Sequence, residues 1–129
     1  MIVRVVDDDA PVRVALVRLL KSAGHSAVAF ETAMSFLSEN DFSAPGCIIL
    51  DVGLPDLDGL ALQEMLAQRG STTPVIFLTG HADSKTRARA MEGGAVDFLA
   101  KPVDEEALLD AVARALASQA VRRLAGSQS

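Results

Sequence analysis

Five times along this chain a short apolar run is followed by a stretch whose apolar positions recur at helical spacing. The runs are Ile2 to Val6, Ser26 to Phe30, Gly46 to Asp51, Val75 to Leu78 and Val96 to Ala100. Runs of this length, bounded by turn residues, read as buried strands. Val12, Leu16, Leu19 and Leu20 mark the inner face of a first helix, with Pro11 suited to its first turn. Leu60, Leu62, Met65 and Leu66 mark another, and Leu108, Ala111, Val112, Ala115 and Leu116 the last. Thr32, Asp58, Asp83 and Asp104 stand where helix caps belong, and Asp9 reads as charge at a helix start. The helix after Thr32 is expected to run through about Asn40 and to bury Met34 or Phe36 together with Leu37.

Strict strand-helix alternation with short connections implies a parallel sheet covered by helices on both faces, joined by right-handed crossovers. For five such units the usual solution is the flavodoxin-like three-layer sandwich, a five-stranded parallel sheet of order 2-1-3-4-5 with five helices. The 129 residues make one domain, expected over 1–118, with 119–129 a polar tail, frayed end or start of a linker.

In that topology the first and third strands are neighbours, and ligands bind at the carboxyl edge of the sheet. The first strand ends at Asp7 and Asp8, the third at Asp51, the fourth at Thr79 and the fifth at Lys101. Each alone has a plain reading: a turn-forming Asp, an acidic helix cap, a turn threonine, a surface lysine. Their convergence on one edge says more. Carboxylates brought within a few ångströms repel one another strongly, and a hard divalent cation, Mg²⁺ (or Mn²⁺), relieves this with oxygen ligands. A carboxylate nucleophile, a metal, a hydroxyl and an ammonium together describe a phosphoryl-handling site.

At these residues the chain resembles the receiver domain of two-component response regulators, the CheY-like family, over residues 1 to about 118. The resemblance implies that Asp51, in Asp51-Val52-Gly53-Leu54-Pro55-Asp56-Leu57-Asp58-Gly59, is the phosphoacceptor. It implies that Asp8 ligates Mg²⁺ directly, that Asp7 acts mainly through a metal-bound water, and that the Gly53 carbonyl completes the shell. Thr79 matches the switch hydroxyl, Phe98 the switch aromatic and Lys101 the lysine that pairs with the phosphoryl group. Lys101-Pro102 matches a peptide bond that is cis in the family. Thr79-Gly80-His81 and Gly93-Gly94-Ala95-Val96-Asp97-Phe98 look closest to FixJ-type regulators, which carry a DNA-binding output domain behind the receiver. Gly53 leaves no side chain where the family varies one to tune hydrolysis.

The implied partner is a sensor histidine kinase. The implied output surface is helix 4, strand 5 and helix 5, a possible homodimer face, with Lys85, Arg87 and Arg89 facing an acidic partner. A stand-alone relay or interaction module is the alternative reading. A net charge of −5 argues against nucleic-acid contact by this domain itself. No apolar run approaches the length of a membrane span. The single cysteine, Cys47, fits a reducing, cytoplasmic setting and an inert core thiol. A haloacid-dehalogenase-type phosphohydrolase would need a second Asp where Gly53 stands. A nucleotide or flavin site would need a phosphate-cradling loop where Asp7-Asp8-Asp9 stands.

Overall fold

The computed structural model describes residues 1–39 and 45–127. The elements alternate throughout: β1 (Ile2–Val6), α1 (Ala10–Ser22), β2 (Ser26–Phe30), α2 (Ala33–Glu39), β3 (Gly46–Asp51), α3 (Gly59–Gln68), β4 (Val75–Thr79), α4 (Ser84–Glu92), β5 (Asp97–Ala100) and α5 (Glu105–Ser127). All strand pairings are parallel and the order is β2-β1-β3-β4-β5, the CheY-like arrangement. The register sets Val6 beside Leu50, Asp51 beside Leu78, and Thr79 beside Ala100. The strand ends that carry the polar groups therefore finish level along one edge.

Two apolar cores fill the layers. One joins Ile48, Leu50 and Phe77 of the sheet to Phe36, Leu60, Leu62 and Ala90 of α2, α3 and α4. The other joins Val3, Val5, Ile49 and Ile76 to Leu16 and Leu20 of α1 and Leu108 and Val112 of α5. Successive residues of a strand alternate between these faces, so β3, buried along its whole length, is apolar throughout until Asp51. Cys47 is buried in the second core, and burial pushes its thiol up to about 12, so it is inert at neutral pH.

The caps form as their residue types dictate. The carboxylates of Asp9, Asp58, Asp83 and Asp104 accept from the backbone N–H groups of Val12, Leu60, Thr86 and Ala107. The Thr32 hydroxyl accepts from the Ser35 N–H at 3.0 Å. One open choice is resolved, and two details depart from the sequence expectation. Of the two candidates in α2, Phe36 is buried and Met34 stays 63% exposed, because Phe36 alone reaches the sheet and stacks edge-on against Phe30. β5 begins at Asp97 rather than Val96. The last helix continues beyond 118 to Ser127, and Gln119 extends the inner stripe of Leu108, Ala111, Val112 and Ala115 and is itself buried. The expected end of α2 at Asn40 lies outside the described residues. No helix among the described residues is long and apolar enough to cross a membrane.

Candidate functional site: an acidic cleft at the carboxyl edge

Asp7 is delivered by β1 and held rigidly. Its N–H donates to the Phe30 carbonyl at 3.1 Å, its carbonyl accepts from the Arg13 guanidinium at 2.8 Å, and its Oδ1 accepts from the Asp9 N–H at 2.9 Å. Asp51, at the end of β3, is buried, and its Oδ1 accepts from the Gly53 N–H at 3.1 Å. Asp8 is exposed and opens the cluster to solvent. One carboxylate oxygen from each of Asp7, Asp8 and Asp51 lies within 4.8 Å of the others.

Lys101 closes the cleft from β5. Its Nζ stands 2.7 Å from Asp7 Oδ2 and 3.6 Å from Asp51 Oδ2. The Lys101 N–H donates to the Thr79 carbonyl at 2.8 Å, which locks the β4 and β5 ends together, and the Lys101–Pro102 peptide is cis. Burial opposes the charge on Lys101, but the Asp7 hydrogen bond and the Asp51 charge outweigh it and hold the ammonium above its ordinary range. Burial pushes the Asp51 carboxyl up. The Gly53 N–H and Lys101 pull it down, Asp7 and Asp8 push it up, and the net direction is upward.

Thr79 is buried, and its hydroxyl oxygen accepts from the His81 N–H at 3.1 Å. Phe98 is also buried, its ring centroid 6.3 Å from that of Phe77. The structure thus gathers Asp7, Asp8, Asp51 and Lys101 at one edge, with Gly53 bonded to Asp51 and Thr79 bonded to Lys101 through the backbone. Lys85, Arg87 and Arg89 are all exposed on α4; the Arg87 guanidinium donates to the Phe98 carbonyl of β5 at 3.1 Å, and Arg89 borders the groove beside α3. His81 is exposed.

Two contacts escaped sequence reasoning. The Asp56 carboxylate crosses to α2 and accepts from the N–H groups of Ala33 at 3.1 Å and Met34 at 2.9 Å. The Gln63 amide is buried and bonds the Ala90 carbonyl across α3 and α4. Spacing in sequence could have revealed neither, because both join residues more than twenty positions apart.

Three carboxylates faced by one ammonium leave excess negative charge in a partly buried, oxygen-rich cleft with one open side. That donor set fits a hard divalent cation.

Fold and site together define a CheY-like α/β domain with an acidic, lysine-bearing cleft at its carboxyl edge. The sequence profile of the response regulator receiver domain matches residues 3–113, and the chain belongs to that family, the receivers of two-component phosphorelay signalling. It is 45% identical over 122 residues to Nodulation protein W of Bradyrhizobium diazoefficiens, covering 95% of this chain and 54% of that protein. It is 43% identical over 115 residues to the response regulator protein TodT of Pseudomonas putida, covering 89% of this chain and 51% of that one. Among solved structures, the response regulator StyR superposes with a TM-score of 0.93 at 42% identity, over 98% of this chain and 64% of StyR. The chain spans about half the length of these curated relatives.

Proposed function

We propose that Asp51 accepts a phosphoryl group from a phosphohistidine of a sensor kinase and that the resulting charge switches the α4–β5–α5 surface. The observation that carries this is the Asp51 carboxylate, buried at a strand end yet facing both a second acidic pair and the Lys101 ammonium. An Asp51 oxygen attacks phosphorus in line. The new P–O bond forms as the P–N bond breaks, and the electron pair returns to the imidazole nitrogen, which takes a proton from solvent. Asp7, Asp8, Asp51 and the Gly53 carbonyl would hold Mg²⁺, which supplies neutralisation of the charge on the phosphoryl oxygens. Lys101 adds a second positive charge to the same oxygens. The rigid hold on Asp7 and the Gly53 N–H bond to Asp51 keep the carboxylates oriented before the substrate arrives.

Once phosphorylated, Asp51 carries new acceptor oxygens. The Thr79 hydroxyl exchanges its His81 N–H contact for one of them, and the packing of Phe98 against Phe77 adjusts. The affected surface includes the Asp97–Arg114 ion pair at 2.8 Å and is the proposed homodimer face. Similarity to regulators such as the transcriptional regulatory protein FixJ of Bradyrhizobium diazoefficiens, 40% identical over 104 residues, supports transcription as the output of the full protein. Borohydride reduction after treatment with acetyl phosphate and Mg²⁺ tests the site: an aspartyl phosphate becomes homoserine, expected at position 51. Homoserine at any other acid refutes the assignment.

A further inference from the structure

Few apolar contacts hold α4. Among its described residues only Ala90 is buried. A groove of about 340 Å³ lies between it and α3, with Glu64 and Ala67 on one side and Arg89 and Glu92 on the other. Gln63 bridges that groove. The residue is buried, and its Nε2 donates to the Ala90 carbonyl at 3.1 Å. The same carbonyl already accepts from the Ala95 N–H at 3.1 Å, so the helix end does not need the amide. The bond is an added tie between two helices.

Gly93 makes room for it. Its φ of −76° is one that any residue adopts, unlike that of Gly94 at +94°. A Cβ at position 93 would lie 2.5 Å from Gln63 Oε1 and 2.7 Å from Cδ. The missing side chain at Gly93 thus leaves the space that the Gln63 amide fills, and the backbone itself does not call for glycine. The two tied helices also have telling positions: α3 follows the loop after Asp51, and α4 follows the loop after Thr79.

We infer that Gln63 is a positioning residue, seated in the space left by Gly93, whose amide ties α3 to α4 and governs how a change at Asp51 and Thr79 reaches the exposed face of α4. The coupling to Asp51 rests on the proposed function; the tie itself does not.

Wild type, Gln63→Ala, Gly93→Ala and the double variant are compared by amide hydrogen exchange and thermal unfolding. Gly93→Ala expels the amide and speeds exchange in α4 about five- to tenfold, the scale of one lost hydrogen bond, while leaving α1 unchanged. Gln63→Ala does the same. Adding Gly93→Ala to it brings no further loss, because the methyl enters vacated space. An equal penalty for Gly93→Ala in both backgrounds overturns the tie. In a second arm, wild type and Gln63→Ala are measured before and after acetyl phosphate with Mg²⁺. Exchange in wild-type α4 rises on phosphorylation, whereas in Gln63→Ala it starts high and changes less than about twofold. The same ratio in both proteins overturns the coupling. A wild type that takes up no phosphoryl group removes the coupling together with the Asp51 assignment, while the rescue in the first arm still decides the tie.

Discussion

Lys101 is bonded to Asp7 rather than to Asp51: its ammonium lies 2.7 Å from the one and 3.6 Å from the other. The cation of the cleft therefore neutralises Asp7 first and stands one short movement from Asp51, the proposed phosphoacceptor. Replacing it, as in Lys101→Met, leaves two buried carboxylates without their counter-charge. Breaking a buried pair costs about 3–5 kcal/mol. The 20% side-chain exposure of Lys101 sets the expected loss at or below about 3 kcal/mol. Denaturant unfolding at neutral pH in EDTA reads it. Added Mg²⁺ restores more stability to the variant than it adds to wild type; equal gains would contradict the shared-charge reading.

Asp51 carries the opposite signature. Its carboxyl is raised by burial and by neighbouring acids, against the pull of the Gly53 N–H and Lys101. A raised carboxyl stabilises the fold while protonated, fully so below its unfolded value, and that contribution is lost as pH rises through the raised value. In metal-free protein Asp51→Asn should melt higher than wild type at neutral pH, by roughly 2–5 °C. The gain should vanish toward about pH 4. A lower melting temperature at neutral pH would show that the buried charge is fully compensated without metal.

Asp56 anchors the loop after Asp51 to the start of α2. The Met34 N–H and then, against slight desolvation, the Ala33 N–H hold its carboxyl below the ordinary range. A depressed carboxyl contributes stability above its unfolded value and loses it as pH falls through the folded one. Asp56→Ala should remove about 0.5–1 kcal/mol, the worth of a helix cap. Exchange should quicken at the Ala33 and Met34 amides first. Unchanged protection at those two amides would mean that the contact does not persist in solution.

Gly59 is set by close approach. A Cβ there would lie 2.6 Å from the Asp51 carbonyl oxygen and 2.9 Å from the Val52 Cα, both backbone atoms that cannot step aside. Gly59→Ala should destabilise by about 1–3 kcal/mol, the range for overpacking, and weaken Mg²⁺ binding by moving Asp51. A titration with Mg²⁺ followed by NMR checks the second effect, and an unaltered affinity would separate Gly59 from the site.

The strands and the site residues were legible because both obey local rules. An apolar run must end where the sheet ends, so Asp7, Asp51, Thr79 and Lys101 announce a common edge once the topology is fixed. Caps at Asp9, Asp58, Asp83 and Asp104 follow from one side chain and one nearby N–H. What stayed hidden depends on tertiary contact. Gln63 reads as a polar position on a helix, yet the Ala90 carbonyl and the gap at Gly93 bury it. Asp56 lies in the loop after Asp51, yet it serves a helix that comes earlier in the chain. Gln119 looked like the start of a polar tail because its composition, not its face, was visible. The Arg87 bond to the Phe98 carbonyl, from α4 to β5, likewise lies beyond local pattern.

The most direct test of phosphoryl acceptance is intact-mass spectrometry after incubation with acetyl phosphate, with Mg²⁺ or with EDTA, alongside Asp51→Asn. One added phosphoryl group that requires both Mg²⁺ and Asp51 is the expected result. The same gain in EDTA or in Asp51→Asn would contradict it.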